Sequence, residues 1–197
     1  MPLPKTAQTA QPWRIHELTW EFCLEDVWAL PTPGGPGDFP RLLELFASFD
    51  ASHSDSALTR ALFAIRWKVG ALLGWDDDDR DGDRASPRPT LRERLPSDLR
   101  GTANGLDFAD SPFTPLYRTD DEWAAEIVNR TVHGVVHLGW VEDQGVGYRG
   151  QMAVYVRRNG LIGAAYMAVI APFRHLIVYP ALLGEMGRRW RLDAAGT

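Results

Sequence analysis

His133 and His137 are the first residues of this 197-residue chain that invite a chemical reading. Four residues apart on a helix, two imidazoles can share a metal ion. On a strand rising ~3.3 Å per residue they stand roughly 13 Å apart and cannot. Residues 131–142 alternate as a strand does, so a shared metal is rejected. Val132, Gly134, Val136, Leu138 and Trp140 make the better core or cavity face, which turns the two histidines towards solvent. With the faces reversed, either imidazole could serve as a general base, because imidazole titrates near neutrality. Glu122, Glu126 and Asn129 cluster just before His133. A carboxylate, an amide and an imidazole could together position a water or an enol, though rim and turn positions suit them equally.

Asp26 is the second candidate. From Trp20 the chain alternates, placing Trp20, Phe22, Leu24, Asp26, Trp28 and Leu30 on one face, with Asp26 the odd carboxylate among apolar residues. A buried carboxylate needs a cation or hydrogen-bond donors, or it stays protonated. A backbone bond, or a bulge turning Asp26 outward, would account for it structurally; acid/base work would account for it chemically. Arg66 could reach such an acid, or pack its stem and solvate its head. Tyr166 interrupts a run of small residues and could offer its hydroxyl to a ligand. Arg174 and His175 open a terminal helix, where an anionic group would meet the arginine and unpaired backbone N–H groups; surface placement is the alternative.

Asp77, Asp79, Asp81 and Gly82 match the start of a calcium loop, D-x-D-x-D-G. Its twelfth position is Arg88 rather than glutamate, and Pro87 and Pro89 obstruct the exit helix, so a solvated loop is expected. No nucleophile elbow, phosphate loop or dinucleotide fingerprint is present, and no metal or cofactor is expected.

These residues need elements to hold them. Residues 161–172 are almost unbroken in apolar character and read as a buried strand. The terminal helix from Phe173 to Trp190 carries an apolar stripe of Phe173, Leu176, Ile177, Pro180, Leu183, Gly184, Gly187 and Trp190. Pro180 should kink that helix or split it. The apolar run is shorter than the ~20 residues of a membrane span and is cut off by Arg174 and His175, so no span is expected. Earlier, a strand near residues 20–30 leads through a Pro/Gly-rich loop at 31–37 to a helix at 39–49, then a second helix at 55–73. Further strands are expected at 113–118, 123–128, 131–142 and 148–158. Thr119-Asp-Asp-Glu122 competes as a helix capping box, and Asn159-Gly160 is the clearest hairpin turn. Short sequential connections imply an antiparallel meander.

Composition sets the limits. Hydrophobic residues make up 45% of the chain and the net charge is −5. A sizeable core is therefore affordable, and without any basic block nucleic-acid binding is not expected. Only Lys5 and Lys68 of the 21 basic residues are lysines, a bias that suits a GC-rich bacterial genome. Cys23 stands alone and no apolar signal core opens the chain, so the expected location is the cytoplasm. Residues 1–12 read as a loose arm, 13–192 as one domain with an acidic, mobile loop at 76–89, and 193–197 as a tail.

The order of elements, with the segments Ala61-Leu-Phe-Ala-Ile-Arg-Trp67, Asp121-Glu122 and Gly160–Tyr179, resembles an uncharacterised bacterial family of START-like proteins in the SRPBCC superfamily. The resemblance implies an α+β helix-grip fold: an antiparallel sheet of six or seven strands packed on a long C-terminal helix, with two helices after the first strand. Six strands are found here, unless Leu106-Asp-Phe-Ala109 supplies a seventh. It further implies a cavity between sheet and helix for an apolar or amphipathic small molecule. Asp26, Trp28, Arg66, Trp140, Met152, Tyr166 and Arg174 are the expected ligand-binding residues. The alternative is a polyketide-cyclase-like enzyme, dehydratase or hydrolase using Asp26 or Glu126 as catalytic acid/base. A further alternative is an interaction protein with a filled core, and the sheet edges could pair in a homodimer.

Overall fold

Antiparallel pairing organises the molecule, seen here in a computed structural model that describes residues 1–51, 90–103, 113–128, 132–143, 147–158 and 174–195. Two helical turns come first, α1 (Thr6–Thr9) and α2 (Ile15–Leu18). Strand β1 (Cys23–Ala29) and helix α3 (Phe39–Ala51) follow. After a 3₁₀ turn at Leu91–Arg94 come β2 (Thr114–Arg118), β3 (Glu122–Val128), β4 (Val132–Asp143) and β5 (Gly147–Arg158). A π-helical turn, Arg174–Val178, runs into the terminal helix α4 (Tyr179–Ala195). The fold is α+β. Among the described residues the sheet has five strands in the order β1-β5-β4-β3-β2, all antiparallel. The strand expected at 161–171, the optional one at 106–109 and the second helix at 55–73 lie outside the described residues, as does the acidic loop.

Local chemistry explains most of the element boundaries. The Thr119 hydroxyl accepts from the Glu122 N–H at 3.1 Å, the contact a capping box would make. Here it closes the β2–β3 hairpin, because Thr119 N–H also donates to the Glu122 carbonyl at 2.8 Å and the following residues pair with β4. Pro180 directly follows the π-helical turn, so its missing N–H falls inside one continuous helical run. The expected break appears one residue earlier, as the change from π to α winding. That change rotates the buried stripe to Val178, Tyr179, Met186 and Trp190, leaving Leu176 and Pro180 exposed rather than inward as their spacing suggests.

A β-bulge between Leu24 and Asp26 redistributes the alternating face of β1. Phe22 and Leu24 pack against one side of the sheet, with Val27. Beyond the bulge Trp28 and Leu30 join the other side. The bulge does not turn Asp26 outward; the residue is buried.

Both faces of the sheet are covered. On one, Trp28, Trp123, Leu138, Trp140 and Met152 pack against α3 and α4 through Phe39, Leu42, Tyr179, Met186 and Trp190. The Pro/Gly loop fastens this layer: Pro33 O accepts from Trp190 Nε1 at 2.9 Å and Gly35 O from Trp140 Nε1 at 3.0 Å. These two indoles thus keep their hydrogen bonds inside the core. The opposite face carries Val135, Val141, Ala153 and Tyr155 and is roofed by Trp13, Ile15, Leu18, Leu91, Leu95 and Leu99.

The first twelve residues are therefore not a loose arm. Leu3 N–H donates to Val27 O and Ala29 N–H to Met1 O, both at 2.8 Å, which extends the sheet beyond β1, and Gln8 is fully buried. Trp13 lies so close over Gly139 that an added Cβ there would come within 2.6 Å of the indole, which is why β4 carries glycine at that position. Among the described residues, no helix is long and apolar enough to cross a membrane.

Candidate functional site

Two polar constellations emerge, one on each face of the sheet. The first combines Asp26, Trp28, His175 and Tyr179. Past its bulge, β1 aims Asp26 at the start of the terminal helix. There His175 Nε2 lies 3.0 Å from Asp26 Oδ1, and the Tyr179 hydroxyl donates to Oδ2 at 2.9 Å. His175 and Tyr179 are four residues apart in the helical segment, so both reach the same carboxylate. Trp28 backs them, its ring 4.8 Å from that of Tyr179 and 6.0 Å from that of His175. Exposure divides the pair: the Asp26 side chain is 5% exposed and that of His175 43%. Nε2 is the imidazole nitrogen that faces the carboxylate.

The second constellation is a pair of carboxylate–imidazole contacts under the N-terminal arm. Glu122 and Glu126 on β3 sit diagonally across from His137 and His133 on β4. His137 Nε2 lies 3.0 Å from Glu122 Oε2, and His133 Nε2 lies 2.7 Å from Glu126 Oε2. The histidines do not face solvent: His133 is 1% exposed and His137 0%. The sequence places the apolar face of β4 correctly. The arm and the 91–99 segment, which cover the other face, are far away in sequence and carry no pattern that announces a roof. Each imidazole has a carboxylate of its own, and among the described residues no group of three or more ligating side chains could hold a metal.

Glu122 is the hub of this network. Its Oε2 accepts from the Tyr117 hydroxyl at 2.9 Å as well as from His137, and its Oε1 accepts from Arg14 N–H at 2.8 Å. Burial alone would raise the carboxyl, but these donors outweigh it and hold Glu122 below the usual carboxylate range. Burial pulls His137 below the ordinary imidazole value, against the raising influence of Glu122. The ring is therefore neutral beside an ionised carboxylate. Burial, with Glu122 adjacent, drives the Tyr117 hydroxyl far up, and burial pushes Tyr155 up to about 12.

On its other side His137 Nδ1 accepts from Gln8 Nε2 at 3.1 Å, and Gln8 Nε2 also donates to the Tyr155 hydroxyl at 3.0 Å. Gln151 Nε2 donates to Gln8 Oε1 at 2.8 Å and to Ala7 O at 3.2 Å. Gln8, Gln151, Tyr117 and Tyr155 were not legible as members of a network. Nothing in the local sequence marks Gln151 and Tyr155 as covered, and only Trp13, Ile15 and Leu18 in the arm hint that something apolar needs covering.

The expected ligand-binding residues are distributed as follows. Asp26 and Trp28 come together, joined by His175 and Tyr179. Met152 pairs with Trp28 and points into the helix-side core. Trp140 is deeper in that core, between Phe39 and Trp190. Glu126 is on the opposite face of the sheet, so it cannot share a site with Asp26; it is held instead by His133 and by Leu91 N–H at 2.9 Å. Arg66, Tyr166 and Asn129 lie outside the described residues, as do the side chain of Arg174 and the calcium-like loop. A surface groove of about 330 Å³ runs between α3 and α4, lined by Arg41, Ser48, Arg189 and Leu192 among others. It lies away from the sheet, and its arginines are engaged: Arg41 stacks on Trp190 with its guanidinium 3.9 Å from the ring, and Arg189 donates to Glu185 at 2.7 Å.

Comparison with curated proteins and with solved structures finds no match. Residues 18–181 match the family described as "Protein of unknown function (DUF2867)", a span that takes in the whole described sheet, the Asp26–His175–Tyr179 cluster and both carboxylate–imidazole pairs, and the chain belongs to that family.

Proposed function

We propose that this protein is a START-like helix-grip domain that binds a small amphipathic molecule where the sheet meets the start of the terminal helix, with its polar group on His175. The observation that carries this reading is the buried Asp26 carboxylate tied to a half-exposed imidazole. A ligand arriving at His175 meets a group whose orientation is fixed from below by Asp26 and whose surroundings are aromatic, through Trp28 and Tyr179. Few convergent polar groups in an apolar setting are what small-molecule sites use to orient a ligand. An apolar body would extend from there along the sheet–helix seam.

A second reading has one specific observation in its favour. Asp26 Oδ1 lies 3.0 Å from His175 Nε2, the pairing by which a carboxylate orients an imidazole general base. In this enzymatic form His175, rather than Asp26 itself, is the acid/base group, and Asp26 positions it.

Native mass spectrometry of the purified protein, before and after denaturing extraction, tests the first reading. A small molecule that is released on denaturation and lost from a Trp28→Ala variant is the expected result; an empty protein at every preparation counts against it. A His175→Gln variant separates the two readings, because the amide can still donate to Asp26. A carrier should retain the same molecule. An acid/base enzyme should instead accumulate unreacted substrate, of different mass.

A further inference from the structure

The polar chain beneath the N-terminal arm has one direction only. Ala7 O is a backbone acceptor that cannot be turned around, so the Gln151 atom facing it must be the Nε2 donor. Gln151 Nε2 then requires Gln8 Oε1 as its acceptor, which turns Gln8 Nε2 towards His137. His137 Nδ1 must in turn be a bare acceptor, and its proton must sit on Nε2, facing Glu122. Fixed at Ala7 and at Glu122, the chain admits a single protonation state of His137, the neutral Nε2–H form.

A proton added at Nδ1 would set two donors against each other. Flipping the Gln8 amide moves the conflict to Gln151, where Nε2 would face Nε2. Flipping Gln151 as well sets its Oε1 against Ala7 O. No arrangement of the two amides satisfies every member, and a buried unsatisfied donor or acceptor is costly. The arm is attached at two points to this one dyad, through Gln8 on α1 to His137 and through the Arg14 N–H just before α2 to Glu122. Trp13, between them, packs at a tilt against His137 with ring centroids 5.3 Å apart.

We infer that His137 is a proton-operated latch: neutral, it holds residues 6–14 against the sheet, and protonated, it releases them while β3, β4 and β5 remain paired. The groups that face it are Glu122 from β3, Gln8 from α1, Tyr117 from β2 and Tyr155 from β5. His16 on α2 and Asp121 at the β2–β3 turn act on it at longer range, lowering and raising its proton affinity respectively. Burial holds the imidazole of the closed form below the ordinary value of 6.5 that a solvated, open form would have. The open form therefore binds the proton first: closure is complete above about pH 6.5 and is lost as pH falls below it.

Hydrogen exchange of the full chain, followed between pH 7.5 and 5 and corrected for the intrinsic pH dependence of exchange, tests the latch. Protection of residues 6–14 should fall by up to about tenfold per pH unit below pH 6.5, while amides of β4 and β5 stay protected. Flat protection of the arm, or loss of arm and sheet together, would overturn the proposal. Imidazole ¹⁵N resonances give an independent reading that needs no variant. His137 should show the Nε2–H form at pH 7.5; an Nδ1–H form, or arm opening that follows the titration of His16 or His133 instead, would sink it. A Gln8→Glu variant supplies an acceptor for the protonated ring. It should keep the arm closed through the range in which the parent opens, and an unchanged opening profile would contradict the latch.

Discussion

Replacing Glu122 with alanine should cost about 3–5 kcal/mol of folding stability, the range expected when one member of a buried, charge-assisted network is removed. The substitution strands two buried donors, the His137 Nε2–H and the Tyr117 hydroxyl, and the half-buried Arg14 N–H. The two buried donors cannot reach water without lifting the arm, because Trp13, Ile15 and Leu18 close over that face. Glu122→Gln should be milder, about 1–3 kcal/mol. An amide oxygen can replace Oε2, but its NH₂ group then faces the Arg14 N–H. Urea unfolding followed by far-ultraviolet circular dichroism measures both variants. A Glu122→Ala midpoint equal to that of the parent would show that the hub is solvated rather than buried.

Trp190→Ala should be of similar size, about 3–5 kcal/mol, by the cost of emptying a buried aromatic site. The indole is wedged against Trp140, ties α4 to the Pro33 carbonyl and carries the Arg41 guanidinium on its face. Its loss should act beyond stability. His175 and Tyr179 belong to the same helical run, so an undocked α4 withdraws both from Asp26 and dismantles the candidate site from 11 residues away along the helix. Thermal unfolding together with hydrogen exchange should show a lower transition temperature and faster exchange across residues 179–190, with β3–β5 little changed. Exchange confined to the last turn of α4 would argue against that coupling.

The sheet was the most legible part of the molecule. Four of its strands follow from apolar patterning and turn residues, within a residue or so of their observed ends, and β4 most clearly, because its alternating apolar face is displayed in the local sequence. The terminal helix was legible in existence but not in phase. A π turn before Pro180 rotates the stripe, and a 3.6-residue period cannot foresee a change of winding. The candidate site was half visible. Asp26 stands out as a carboxylate on an apolar face, and His175 as a polar residue opening a helix, but their meeting depends on a bulge in β1 and on docking across 153 residues to Tyr179. The second polar face was misread for a related reason. Glutamine, tyrosine and histidine on a strand look solvated until a distant segment is known to cover them.

That covering segment bears on how the chain reaches its fold. Residues 1–18 are synthesised before the strands they cover, yet Arg14 waits 108 residues for Glu122, Gln8 waits 129 for His137, and 143 separate Gln8 from Gln151. Contacts this distant must close long loops before they return any stabilisation, which makes them late events. The hairpins β2–β3, β3–β4 and β4–β5 are local by comparison and can form first, presenting an uncovered face of histidines and tyrosines to which the arm must return. Pulse-labelled exchange during refolding should find β3–β5 protected in an early phase and residues 6–14 only in the last. Simultaneous protection would mean that the arm takes part in nucleation. The covering segment is made before the strands but finished after them, and until then Trp13, Ile15 and Leu18 are an exposed apolar segment in search of a surface.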